Sequence, residues 1–173
     1  MSTSSKTYLV ILAGSIAWCT AIVIPPVFLS LGGVWQVVGL GMYRFFHAIC
    51  HQLDSRSFHF LGEPFAVCIR CSSIYLGFLA GVLLFPFVSK IAASVYSSRS
   101  VLLWSVAPMV VDVLLDEFGI HSSTTATRLV TGSLFGIIIP MYIIPGAQEA
   151  VQEIMSGSPF FSPSETEKGS LHA

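Results

Sequence analysis

Cys50-His51-Gln52, Arg56-Ser57-Phe58 and Cys68-Ile69-Arg70-Cys71 lie in one short segment, and long apolar runs flank it on both sides. The segment holds three of the four cysteines and the densest grouping of Arg and His in the chain. Sulfur and cationic groups confined to one stretch between apolar runs mark it as the place where a site can be built. The runs around it decide the fold.

Hydrophobic residues make up 54% of the 173 residues and charged residues only 10%, with a mean hydropathy of +0.80. Soluble domains carry about a quarter charged residues, so the composition is that of a membrane protein. A net charge of −1 without a basic cluster gives no sign of a nucleic-acid partner, and none is expected. Four cysteines in so apolar a chain do not make a secreted disulfide scaffold. At the N-terminus only Lys6 precedes the apolar run. Tyr8 to Leu31 is uncharged over a greater length than a signal-peptide core of about 7–15 residues. Trp18 before Cys19 also makes a poor lipoprotein site, so this run reads as a retained membrane helix.

A spanning helix needs about 20 largely apolar residues. The sequence predicts an all-α, polytopic bundle of four transmembrane helices at about 8–31, 72–88, 101–118 and 128–144, in one domain covering 1–147. A polar tail, 148–173, is expected to be partly disordered. Pro25-Pro26 should kink or end the first span, and Pro140 and Pro145 make the end of the fourth irregular. Gly77 and Gly81, like Gly132 and Gly136, have the small-x-x-x-small spacing that lets helices approach closely. Packing within the chain is their expected use. Between the first two spans, 34–47 has helical character, and Trp35, Tyr43 and Arg44 suit a helix at the membrane interface or across the bundle mouth. A compact loop with turns at Asp54-Ser55 and Gly62-Glu63-Pro64 should follow.

Four spans put the first and third connections on the same side. The Cys/His segment would then share one mouth with Asp112, Asp116, Glu117, His121 and Arg128. Lys6, Lys90, Arg99 and Lys168 lie on one side and Arg44, Arg56, Arg70 and Arg128 on the other, so charge counting alone does not orient the chain. If those four arginines serve the site, the N-terminus is cytoplasmic and the chain is a multi-pass protein of the cell inner or plasma membrane. Its expected partners are the bilayer and either a larger membrane complex or further copies of itself.

Cys68 and Cys71 begin the second span, where the helix dipole favours thiolates. Zinc sites commonly combine Cys-x-x-Cys with two further Cys or His ligands. Cys50, His51, His47 and His59 are available, and Cys50, His51, Cys68 and Cys71 form the candidate metal set, for zinc or iron. Cys50 and His51 are adjacent, so on a helix their side chains diverge by about 100°, which leaves one of them free to support the site instead of ligating. The competing chemistry is thiol–disulfide exchange at Cys68–Cys71 with Cys50 resolving; the bland reading is three packed thiols, as expected for Cys19. Intramembrane carboxylates are costly and are paired or functional. An Asp112–Arg128 bridge is the structural expectation and a proton relay the functional one, while Arg56 and Arg70 can pair with Asp116 or Glu117 or bind an anion. No nucleotide-binding loop, serine-hydrolase elbow or zinc-protease helix is present.

The combination Cys50-His51-Gln52, Arg56-Ser57-Phe58, Cys68-Ile69-Arg70-Cys71 and Ile74-Tyr75-Leu76-Gly77-Phe78 resembles the small predicted membrane proteins called domain of unknown function 2085. Pro108, Asp112, Arg128 and Thr131-Gly132 resemble that family's second block, so the likeness runs from about Cys50 to Gly136. Ser72-Ser73 departs from the Thr-Gly often found there. The resemblance implies a shared site and supplies no activity. Three functions follow as expectations: a membrane protein with a Cys/His metal site, structural or accessory to transport or electron transfer; a membrane thiol oxidoreductase; or a small transporter or lipid-handling protein.

Overall fold

Charge-free apolar runs satisfy their backbone hydrogen bonds internally as helix, the arrangement a bilayer requires. A computed structural model describes residues 3–88, 94–96, 98–120 and 122–156. The order is α1 (Thr3–Leu31), α2 (Gly33–His47), a 3-10 turn at Asp54–Arg56, β1 (Ser57–Phe60), β2 (Glu63–Cys68), α3 (Ile69–Leu84), α4 (Arg99–Glu117), α5 (Thr125–Ile138) and α6 (Pro140–Ser156). The chain is therefore mostly helical with one small sheet. Among the described residues, two segments are long and apolar enough to cross a membrane: Thr3–Leu31, and Thr125–Ser156 taken through the break at Ile139. Ile69–Leu84 is equally apolar but shorter.

Several boundaries differ from the sequence expectation. Pro25 and Pro26 do not end α1, which continues to Leu31 with both prolines buried. The reason lies in α2, which folds back along this stretch. Gly39 comes so close that a Cβ there would lie 3.1 Å from Phe28 Cβ and 3.3 Å from the Pro25 carbonyl. Gly32 (φ 70°) and Gly33 (φ 59°) make the reversal, in a left-handed conformation that favours glycine. At the other end, Pro140 opens α6, since the first helical position needs no backbone donor, and the chain is helical through Ser156. Residues 157–173 of the expected tail lie outside the described residues, as do Lys90 and His121.

The all-α expectation is corrected by the β1–β2 hairpin, an antiparallel pair in the register Ser57↔Cys68, His59↔Pro64 and Phe60↔Glu63. Leu61 (φ 55°) and Gly62 (φ 86°) form its two-residue turn. Positive φ at both central positions is the type I′ geometry, usually written with Asn or Asp before Gly; Leu in that place hid the signal. Between Ser57 and His59 the register slips, because β2 carries extra residues opposite Phe58. This bulge delivers Ala66 and Val67 into the core, where both are fully buried.

The tightest packing is between α3 and α5. A Cβ on Gly77 would lie 2.9 Å from the Ser133 carbonyl, on Gly81 2.5 Å from the Ile137 carbonyl, and on Gly132 2.9 Å from the Arg70 carbonyl; one on Gly136 would strike the Ile74 carbonyl. Both small-x-x-x-small pairs thus face each other along one seam inside the chain. Their matching order (70 with 132, 77 with 133, 81 with 137) makes α3 and α5 parallel. α1 runs antiparallel to α3: Cys19 Sγ donates to the Tyr75 carbonyl at 3.4 Å and the Tyr8 hydroxyl to the Val82 carbonyl at 3.2 Å. The start of α3, the end of α4 and the start of α5 consequently meet at one end of the molecule.

Candidate metal centre

α2 ends in a tight turn, with the Cys50 N–H donating to the Phe46 carbonyl at 3.0 Å. Gln52 then takes a left-handed conformation (φ 49°), uncommon for a residue other than glycine. Its side chain explains why that conformation holds. Gln52 Nε2 donates to the Tyr43 carbonyl at 2.8 Å and to the Ala66 carbonyl at 2.7 Å. The Tyr43 hydroxyl donates in turn to the Pro64 carbonyl. These bonds clamp α2 to β2 and bring Cys50 to the end of the hairpin, where Cys68 closes β2 and Cys71 sits in the first turn of α3.

The Sγ atoms of Cys50, Cys68 and Cys71 all lie within 4.8 Å of one another, and all three thiols are free. Tetrahedral ligands at about 2.3 Å from a metal stand about 3.8 Å apart, so the cluster is already near the spacing of three ligands on one ion. The Cys68 N–H donates to Cys50 Sγ at 3.2 Å. Hydrogen bonds from the Cys68 thiol, and then the Cys71 thiol, hold Cys50 well below the usual thiol range against the opposing effect of burial. The setting is apolar. Ile22, Phe46, Ala66 and Val67 pack with Cys50, and Trp18 stands edge-on to Phe46 and Tyr75 with ring centroids 5.5 and 5.7 Å away. Several thiolates set against this apolar side need compensating positive charge.

His51 lies outside the 4.8 Å group and is exposed, because at Cys50-His51 successive side chains diverge. It nevertheless lines the same cavity, of about 360 Å³, as the three thiols. Of the other histidines considered, His47 is exposed, and His59 Nε2 pairs with Asp54 Oδ1 at 3.0 Å on the exposed hairpin face. Cys19 is buried and separate from the cluster, as expected for a packed thiol.

The expected charges converge here with different pairings. The Asp112–Arg128 bridge is not formed. Arg70 Nη2 reaches Asp112 Oδ2 at 2.5 Å, while Asp116 Oδ2 receives Arg56 Nη1 at 3.1 Å and Arg128 Nη2 at 3.4 Å. The parallel α3–α5 seam explains the exchange, since it sets Arg70 beside the last turns of α4. Ser123 ties the two carboxylates together. Its hydroxyl donates to Asp112 Oδ2 at 2.6 Å and accepts from Arg70 Nη2 at 3.0 Å, and its N–H donates to Asp116 Oδ1 at 3.0 Å. Arg56, Arg70, Arg128 and Glu117 line the cavity beside the thiols.

Two residues of this centre had no role assigned from sequence. Gln52 stood inside the Cys-His-Gln string, which was its only signal. Ser123 is one of four consecutive hydroxyl residues, Ser122 to Thr125, and nothing in the sequence sets it apart from its neighbours.

The model of the family described as predicted membrane protein, domain of unknown function 2085, matches residues 50–142. That range contains every residue of the cluster and of the charge network. An uncharacterized protein of Methanocaldococcus jannaschii is 32% identical over 143 residues, covering 81% of this chain and 92% of its own. An uncharacterized protein of Methanothermobacter thermautotrophicus is 35% identical over 94 residues, 53% of this chain and 81% of its own. No solved structure matches.

Proposed function

The chain belongs to the family of predicted membrane proteins called domain of unknown function 2085, and on that premise we propose that it is a multi-pass membrane protein holding a thiolate-bound metal ion at one membrane face. In this reading α1, α3, α4 and the α5–α6 segment cross the bilayer within one domain, and the N-terminus is on the cytoplasmic side of the inner or plasma membrane. Asp112 and Asp116 in α4 are accommodated because Arg56, Arg70 and Arg128 neutralise them.

The observation that carries the metal reading is the mutual approach of the Cys50, Cys68 and Cys71 sulfurs within 4.8 Å. Thiolates would hold zinc or iron, and three of them would leave one further ligand to be supplied from the cavity that His51 and the thiols line together. Charge supports it too. Three thiolates and a divalent cation carry one negative charge; three guanidiniums against Asp112 and Asp116 carry one positive charge. The centre is structural, or accessory to transport or electron transfer within a membrane complex.

Metal analysis by mass spectrometry of the detergent-purified protein tests this directly. One zinc or iron per chain is expected, lost in Cys68→Ser and Cys71→Ser. A metal-free protein with a reducible Cys68–Cys71 disulfide would reject the metal centre in favour of thiol–disulfide exchange.

A further inference from the structure

The cavity next to the sulfurs is walled by guanidiniums. Arg56, Arg70 and Arg128 all line it, and the carboxylate among its lining residues, Glu117, is exposed. Asp112 and Asp116 are bonded to these guanidiniums but do not line the space. Each guanidinium has five N–H donors in a planar fork. Among the described residues Asp116 takes one donor from Arg56 and one from Arg128, and Asp112 and Ser123 take those of Arg70 Nη2. Arg70 Nε is buried with no hydrogen-bond partner among the described residues. A buried donor left unmatched in a native site calls for an acceptor. The side chain of Arg128 is 9% exposed, so its charge faces the cavity more than bulk water. At about 360 Å³ the space is also of ligand size.

We propose that this cavity is an oxyanion seat, in which Arg56, Arg70 and Arg128 hold a phosphate group beside the sulfur centre. Planar guanidinium forks match tetrahedral oxyanions in two-point contact. The phosphate belongs to a free small molecule or to a lipid headgroup entering at the membrane face; the recognising chemistry is the same. The seat rests on the guanidiniums and not on the metal, so it goes beyond the metal reading.

The test is isothermal titration of the full chain with inorganic phosphate in phosphatidylcholine nanodiscs and again in nanodiscs containing phosphatidylglycerol. Metal content is measured on the same samples. Phosphate is expected to bind in phosphatidylcholine, with Kd rising tenfold or more in Arg128→Gln and severalfold in Arg56→Gln. Asp116→Asn moves the other way: it keeps every cation and releases two of them from their carboxylate, so phosphate should bind severalfold more tightly. A purely structural network would not give that sign, and the variant keeps the test decisive if Arg128→Gln does not fold. Equal binding in both nanodiscs assigns the seat to a soluble phosphate; binding abolished by phosphatidylglycerol assigns it to a headgroup. Absence of phosphate binding in phosphatidylcholine overturns the proposal, as does binding indifferent to Arg56→Gln and Asp116→Asn. Phosphate bound to a metal-free wild type would reject the metal reading alone, and metal bound without a phosphate seat would reject the seat alone.

Discussion

Replacing Gly81 by Ala should unseat the α3–α5 contact, and the structure gives the size of the effect. The new methyl would stand 2.5 Å from the Ile137 carbonyl, 2.9 Å from Pro140 Cγ and 3.1 Å from the Ile137 carbonyl carbon. Ordinary contact begins near 3.4 Å, so the gap must open by about 0.9 Å against backbone atoms that cannot rotate aside. Overpacking of this kind costs about 1–3 kcal/mol, and a displacement this large against backbone belongs at the upper end. Alanine returns about 1 kcal/mol of helix propensity. The net expectation is a loss of about 2 kcal/mol. Gly14 supplies the control, because a Cβ there meets nothing within 4 Å, and Gly14→Ala should gain up to about 1 kcal/mol. The two variants therefore differ by about 3 kcal/mol. At about 2–4 °C per kcal/mol for a chain of this size, their melting temperatures should separate by roughly 6–12 °C. Fluorescence-detected size-exclusion melts in detergent measure this. Gly81→Ala melting with or above Gly14→Ala would refute the argument that backbone contact along this seam holds the bundle.

Three further outcomes follow from the site. Cys19→Ser should keep full metal stoichiometry whereas Cys50→Ser loses it, a contrast that elemental analysis resolves; equal retention in both would remove Cys50 from the centre. Ser123→Ala deletes hydrogen bonds to Asp112 and Arg70 and should cost about 1.5–3 kcal/mol, as expected for bonds to charged groups. In a double-mutant cycle with Asp112→Asn, most of that cost should vanish; additive costs would show that the serine acts elsewhere. Gln52→Ala removes two of the three hydrogen bonds that clamp α2 to β2, so metal affinity measured by competition with a chelator should fall at least tenfold. Unchanged affinity would mean that Cys50 is positioned without it.

Much of the architecture is written in residue type. The long uncharged runs announce α1 and α3. The glycine pairs at 77/81 and 132/136 announce a close seam, and Cys50, Cys68 and Cys71 announce a sulfur site. What stayed hidden depends on partners distant in the chain or on local geometry without a compositional mark. Leu61-Gly62 makes a tight hairpin turn without its usual Asn or Asp, so β1 and β2 read as loop. Pro25 and Pro26 read as a break because α2, which covers them, could not be placed from sequence. Helix periodicity put Asp112 and Asp116 on one face, but only the parallel course of α3 and α5 decides that Asp112 meets Arg70 while Arg128 meets Asp116. Ser123 shows the same limit, since its importance arises from three neighbours and none of them is adjacent in sequence.

The thiols of the centre come from one contiguous stretch, Cys50 to Cys71, whereas the cationic wall beside them is finished only by Arg128. Chains are made from the N-terminus and fold as they emerge. The hairpin, the start of α3 and all three sulfurs are therefore in existence before α4 and α5 have been synthesised. An ion can be taken up by the nascent chain while the site is still open on that side, and the arrival of α4 and α5 then encloses it. If the cluster holds an ion, the order of the sequence is also an order of assembly, with loading first and closure second.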